Sequence, residues 1–215
     1  MLNNNMLNSP LGIKMGRHPI QWVANLMQQY ISSGMLPAST HLELSRYLYI
    51  PQSFQDYREN IYIPVSELND SSLLKIIMDL PTQYELACHS KIITFGQTCH
   101  IPMIDFGYKG NSPTESQTLK EFSAYWNMNF HIYDSGRSYH AYGNRLLTTE
   151  QWHHFMGSLL LLNKPSGGRL IDERWVGHRI MGGYSALRWS KNTSHYKKYP
   201  TYCGFINSND INMTD

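Results

Sequence analysis

The chain has 215 residues and a formal net charge of +2, with 18 Lys and Arg, 16 Asp and Glu and 10 His. Charged residues make up 16%, well below the ~25% of an average domain, while hydrophobic residues reach 41% and aromatics 13%. This excludes a coiled coil, a collagen-like chain, an acidic tail and a strongly basic nucleic-acid coat.

Residues 1–16 are rich in Asn and Met and read as loosely ordered. PIQWVANLMQQYI (19–31) carries Ile20, Val23, Met27, Tyr30 and Ile31 at helical spacing, with Pro19 at its start and Ser32-Ser33-Gly34 at its stop. Thr40 and Glu43 have capping-box spacing and predict a second helix over 41–48. IYIPV (61–65) reads as an edge strand because of Pro64. SSLLKIIMDL (71–80) reads as a helix and KIITF (91–95) as a strand. IPMIDF (101–106) follows as a strand, then a helix from Ser112-Pro113 to about Trp126. FHIYD (130–134) and SYHAY (138–142) form a hairpin across Ser135-Gly136-Arg137. Thr148 and Gln151 open a helix through Leu162, and RLID (169–172) is a short strand.

The order from residue 101 is β-α-β-β-α-β, and the fold class is α+β. In that topology the first and third strands are neighbours, with the fourth on the other side of the first. Asp105, His140 and Asp172 then come from three adjacent strands. Alternation puts Asp105 with Gly107, and Ser138 with His140, on the sheet face opposite the helices, which is expected to be free for a ligand. The chain is expected to be one domain: an α/β layer over 1–90, an RRM-like sheet over 91–200 and a tail over 201–215.

Three groups of residues point to chemistry. Asp105 and Asp172 on neighbouring strands could share a hard divalent ion through oxygen ligands, or simply end a strand and cap a helix. SGRSYH (135–140) presents Ser138, His140 and Arg137 as phosphate donors, or is an ordinary hairpin with a half-buried histidine. RWVGHRIMGGYSALRWS (174–190) sets Arg174, Arg179 and Arg188 among Trp175, Tyr184 and Trp189, which suits phosphate binding with base stacking, or a surface helix followed by a core strand. Arg188, inside an apolar stretch, calls for an anionic partner. Lys191, Lys197 and Lys198 add a modest basic patch.

Other readings score lower. Cys88-His89 and Cys99-His100 lack zinc-site spacing. One Ser-x-His does not make a 2H-phosphoesterase, which needs two motifs in the order His-x-Ser or His-x-Thr. No Gly-rich nucleotide loop is present. Three cysteines and the absence of a signal peptide or a 20-residue apolar run lead to the expectation of a reduced, cytoplasmic setting without a membrane; a Cys88–Cys99 pair is the alternative to free thiols.

PMIDFG (102–107), SGRSYH (135–140), RLIDERW (169–175) and ALRWS (186–190), in that order, resemble the motifs of the archaeo-eukaryotic primase superfamily, the primase-polymerases, and most of all the small primase 1D-like proteins. The resemblance implies that Asp105 and Asp172 hold Mg²⁺ or Mn²⁺, and that Ser138, His140, Arg137, Arg179 and Arg188 bind a nucleoside triphosphate. It implies attack of a 3′-hydroxyl on that triphosphate, a single-stranded DNA or RNA template or primer, and a protein partner in replication, repair or defence. The second acid of the first motif falls on Gly107, with Glu173 or Glu115 as candidate substitutes. Three readings follow: a minimal nucleotidyltransferase using Asp105, Asp172 and His140; a primase-fold module that has lost catalysis and binds nucleotide or nucleic acid; and an interaction protein with an aromatic surface.

Overall fold

The computed structural model describes residues 17–107, 110–165 and 167–209; the expectation for residues 1–16 lies outside them. The chain opens with α1 (Pro19–Ser32). His18 caps it, its Nδ1 accepting from the Ile20 N–H at 3.2 Å. Strands β1 (His41–Leu48) and β2 (Arg58–Pro64) follow, then α2 (Asp70–Met78) and β3 (Tyr84–His89). Next come β4 (Lys91–Thr94), β5 (Gln97–His100), β6 (Met103–Asp105), α3 (Gln117–Tyr125), β7 (Phe130–Asp134) and β8 (Tyr139–Gly143). The chain continues through β9 (Leu147–Thr148), α4 (Thr149–Leu160), α5 (Glu173–Gly182), β10 (Ala186–Arg188) and β11 (Thr201–Ile206).

Two antiparallel four-stranded sheets organise these elements, in the orders β10-β3-β1-β2 and β11-β7-β8-β6, beside a small sheet β4-β5-β9. The second sheet carries the RRM-like core. β8 lies between β6 and β7, and Ile171 bridges Phe106 on the far side of β6. Helices α3 and α4 cover one face of it. Ile104, Phe106, Ile132 and Ala141 pack there against Leu119, Phe122, Trp152 and Phe155.

Four expectations change. Residues 41–48 form strand β1, not a helix. The Thr40 hydroxyl donates to the Pro37 carbonyl at 2.6 Å instead of capping, and Glu43 accepts from Asn60 across the β1–β2 pair. β1 runs between β2 and β3 with both faces largely buried, so its apolar residues do not separate by spacing. RLID shrinks to the single Phe106–Ile171 bridge, because Asp172 already turns the chain into α5. Residues 201–206 are a strand paired with β7 rather than the start of a tail, and β10 joins the first sheet rather than the second.

The fourth change concerns the face expected to be free. Met103, Tyr133 and Tyr142 of the second sheet are buried with Leu42, Leu44, Leu86 and Leu187 of the first and with α1 and α2. Trp189 closes this core, its indole N–H donating to the Tyr142 hydroxyl at 2.9 Å. The Asp105–His140 end of that face borders a cleft instead. The first sheet alternates too: Leu86, Cys88 and Leu187 point into this core, while Tyr47, Ala87, Ala186 and Arg188 belong to its other face.

Candidate functional site

A cleft of ≈ 310 Å³ forms where that other face meets the end of the second sheet. Asp105, Arg137, Ser138, His140, Asp172, Arg179 and Arg188 all line it. Local structure explains the convergence. Asp105 and His140 are direct partners in the β6–β8 register, with His140 Nε2 3.7 Å from Asp105 Oδ1. The Asp172 N–H donates to the Asp105 carbonyl at 3.0 Å, which seats the start of α5 beside β6. Arg188 ends β10, next to β3.

Asp172 caps α5, its Oδ1 accepting from the Trp175 N–H at 3.0 Å. An anion at a helix N-terminus is favoured there. Burial, then the nearby charge of Asp172, pushes the Asp105 carboxyl well above the ordinary range, against the pull of Arg188 and Arg179. His140 is held well below the usual imidazole range by burial and by Arg188, so it is neutral at pH 7. Its Nδ1 is buried and has no hydrogen-bond partner. Ser138 Oγ lies 3.2 Å from Ser135 Oγ in the tight turn that Gly136 permits with φ +99°. Arg137 reaches outward to His195.

Arg188 does not find the anionic partner expected for it. Its guanidinium donates to the main-chain carbonyls of Ser135 (2.6 Å), Lys198 (3.2 Å) and Ser190, and lies 4.0 Å from the centre of the Tyr196 ring. Among the described residues no carboxylate pairs with it. A buried cation is thus fixed by neutral dipoles and keeps its charge for the cleft. Glu85, buried on β3, braces the same corner by accepting from the Asn192 and Thr193 N–H groups and the Thr193 and Ser190 hydroxyls.

Further residues complete the lining. Tyr47, Asp56, Arg58 and Arg174 come from β1, the β1–β2 loop, β2 and α5, with His178, His195 and Tyr196 beyond them. Among the described lining residues there are five arginines and three aspartates. The cleft is therefore cationic although the chain is nearly neutral. Arg58 sits just ahead of the strand that the sequence marks from residue 61. Nothing in its neighbourhood signals a role, because its place depends on β1 being a strand.

The metal expectation meets two obstacles in the donor set. A Cβ at Gly107 would lie 3.0 Å from the Ile171 carbonyl oxygen and 3.1 Å from that of Arg169. The position of the second acid is therefore crowded by main chain as well as lacking a carboxylate. Neither substitute reaches the cleft. Glu173 pairs with Arg169 at 3.8 Å and accepts from Asn163, and Glu115 ends the short 113–115 turn on which β11 packs. Among the described residues no group of three or more His, Cys, Asp or Glu is gathered. Two carboxylates, one of them engaged as a helix cap, do not fit a paired-ion centre.

The remaining candidates resolve into structure. Cys88, Cys99 and Cys203 are not joined in disulfides. His89 bonds Ser45 Oγ at 2.7 Å and His100 stacks on Trp152 at 4.7 Å, so the Cys-His pairs are core contacts. Lys198 pairs with Asp134 at 2.7 Å. Trp189 and Tyr142 are core, not stacking surface. Among the described residues no helix is long and apolar enough to cross a membrane.

A family model described as archaeo-eukaryotic primase 1D-like (AEP-like) matches residues 64–201, well over half of the chain. No curated protein and no solved structure matches it.

Proposed function

Since the chain belongs to the archaeo-eukaryotic primase 1D-like family, we propose that its cleft binds the phosphates of a nucleotide or nucleic-acid strand as a module that has given up polymerisation. Membership of that superfamily implies nucleotide or nucleic-acid binding in general and a metal-using class of enzymes. The observation that carries the narrower reading is Gly107, where the second acid of the family's first motif is replaced and main chain crowds the position a side chain would take. A paired-ion mechanism would need those acids to hold the two ions that stabilise the attacking and the leaving oxygen.

What remains is suited to binding. Arg188 offers an uncompensated charge in a partly desolvated cleft, where an arginine–phosphate contact is at its strongest. His140, neutral, can donate one ring N–H to a phosphate oxygen without a change of protonation. Ser138 and the Gly136–Arg137 turn add a hydroxyl and an exposed cation. The surviving Asp105 and Asp172 line the same cleft and favour, as the second reading, a minimal metal-dependent nucleotidyltransferase.

One experiment separates them. Wild type and Asp105→Asn are compared for primer synthesis and extension with Mg²⁺ or Mn²⁺, with nucleotide affinity measured alongside by calorimetry. The binding module gives no product, retained nucleotide binding in both proteins, and a roughly tenfold or greater loss of affinity in His140→Ala. Product from wild type that vanishes in Asp105→Asn would establish the polymerase instead.

A further inference from the structure

The cleft contains a second cationic centre beside Arg188, in which Arg179 is joined by an arginine from the first sheet. Arg58 on β2 and Arg179 on α5 both donate to Oδ2 of Asp56, Arg58 through Nε at 2.8 Å and Arg179 through Nη2. Asp56 belongs to the loop of residues 49–57 that joins β1 to β2. A second tether lies one helical turn away on α5, where Arg174 Nη2 donates to the Ser53 carbonyl and its guanidinium sits 5.7 Å from the Phe54 ring. At its start Tyr49 packs on His195 at 4.4 Å, while Phe54 is 81% exposed and Tyr57 68% exposed.

The pairing with Asp56 leaves the centre unsatisfied. The Arg179 side chain is 4% exposed, and its Nε and Nη1 are buried with no hydrogen-bond partner. A guanidinium has five N–H donors, and burying them unpaired is unfavourable. One carboxylate oxygen shared between two arginines cannot meet that demand. A phosphate can, because it brings three or more acceptor oxygens and geometry matched to a guanidinium fork. Burial opposes ionisation of Asp56, yet the Arg58 hydrogen bond and charge, followed by those of Arg179, hold its carboxyl down at about 2. It is therefore a permanent anion in the place where a ligand's anion would fit.

We propose that Arg58 and Arg179 form a second phosphate subsite, that Asp56 occupies it as an internal stand-in, and that a ligand phosphate takes both arginines by displacing the 49–57 loop. This rests on the reading of the cleft as a phosphate-binding site. It adds that the site is held closed by its own chain. The phosphate can come from a nucleoside triphosphate or from the backbone of a single strand, since the two share the chemistry that the arginines read.

The test uses Asp56→Asn and Arg179→Gln in the full chain, with folding checked by thermal melting and Asp56→Ser as a second loop variant. Affinities are measured for inorganic tripolyphosphate, ATP and a ten-nucleotide oligothymidylate. Chymotrypsin cleavage after Phe54 and Tyr57 reports release of the loop. Removing the competing anion is expected to tighten binding about tenfold in both Asp56 variants, and Arg179→Gln to weaken it about tenfold. Loop cleavage should be fast in the Asp56 variants without ligand, and in wild type only once ligand is added. A gain for ATP and tripolyphosphate alone assigns the subsite to nucleotide phosphates, and a gain for the oligonucleotide alone to a strand backbone. If wild type binds but the Asp56 variants bind no tighter, Asp56 orients the arginines, and the stand-in idea fails while the phosphate-binding reading survives. If none of the proteins binds any probe, both fail together.

Discussion

On the second-sheet side of the cleft, Asp105 and His140 sit opposite each other on paired strands, and Ser138 lies two residues from His140 in the same hairpin. On the first-sheet side, Tyr47, Arg58 and Arg188 come from three strands, and Arg179 comes from α5. The first group is fixed by strand register. A one-residue slip there would turn every side chain to the other face. The second group is fixed by polar tethers: Arg188 to three carbonyls, and Arg58 and Arg179 to Asp56. The register-fixed wall keeps the family's motif residues, with Gly107 in place of one acid. The tethered wall supplies most of the cleft's positive charge. On the proposed reading, a site with one acid fewer on one wall and three arginines on the other favours anion binding.

The largest effect is expected at Arg188. Truncation to Ala leaves the carbonyls of Ser135, Ser190 and Lys198 without their donor, and should lower stability by about 3 kcal/mol in urea unfolding. Nucleotide binding should be lost with it. Full stability in this variant would mean that the tethers do not fix the wall.

Next in size is an acid response from the first-sheet half. His18 donates from Nε2 to the Trp189 carbonyl at 2.8 Å, and burial brings its pKa down from 6.5 to about 4. The folded state therefore resists protonation that the unfolded chain accepts. His18 contributes fully above pH 6.5, and that contribution is lost as pH falls from 6.5 towards 4, a loss of roughly 2–3 kcal/mol for this side chain alone. Unfolding curves at pH 7.5 and 4.5 should show the drop, and His18→Gln should reduce it by about that amount, the rest coming from His100, His131 and His140. An equally steep drop in that variant would assign the response to other groups.

Gly107→Asp probes the register-fixed wall. Pressing a Cβ against the 169–171 main chain should cost about 1–2 kcal/mol, and primer extension should not appear. Extension by this variant would show that one side chain separates the family's two behaviours. The smallest effect belongs to Arg137, exposed at the rim. Arg137→Ala should change stability by less than about 0.5 kcal/mol and nucleotide affinity only two- to threefold at physiological salt, read by calorimetry.

How far the sequence could be read depended on how local each arrangement is. The helix at 19–31, the hairpin at 130–142 and the capping box at Thr148–Gln151 are short-range patterns, and each corresponds to an observed element. The pairing of Asp105 with His140 follows from element order alone. β1 was misread because Thr40 and Glu43 imitate a capping box, while a strand buried on both faces carries no alternation to contradict it. β3, buried on both faces, carries no period either, and β5 and β11 are short stretches without a strong apolar pattern. Asp56 and Arg58 could not be found from their neighbours, since their partner Arg179 lies more than a hundred residues away.

The sequence by itself determined the α+β class, the βαββαβ order and a set of seven candidate residues, because those features rest on periodicity, turn chemistry and short motifs. Only the tertiary structure decided that these seven line one cleft, that the sheet face is largely buried, that Arg188 is held by carbonyls, that main chain crowds the position beside Gly107 and that Asp56 occupies the Arg58–Arg179 centre. The physical reason is separation along the chain. Partners that meet by packing one sheet and one loop against another carry no mark in the residues beside them.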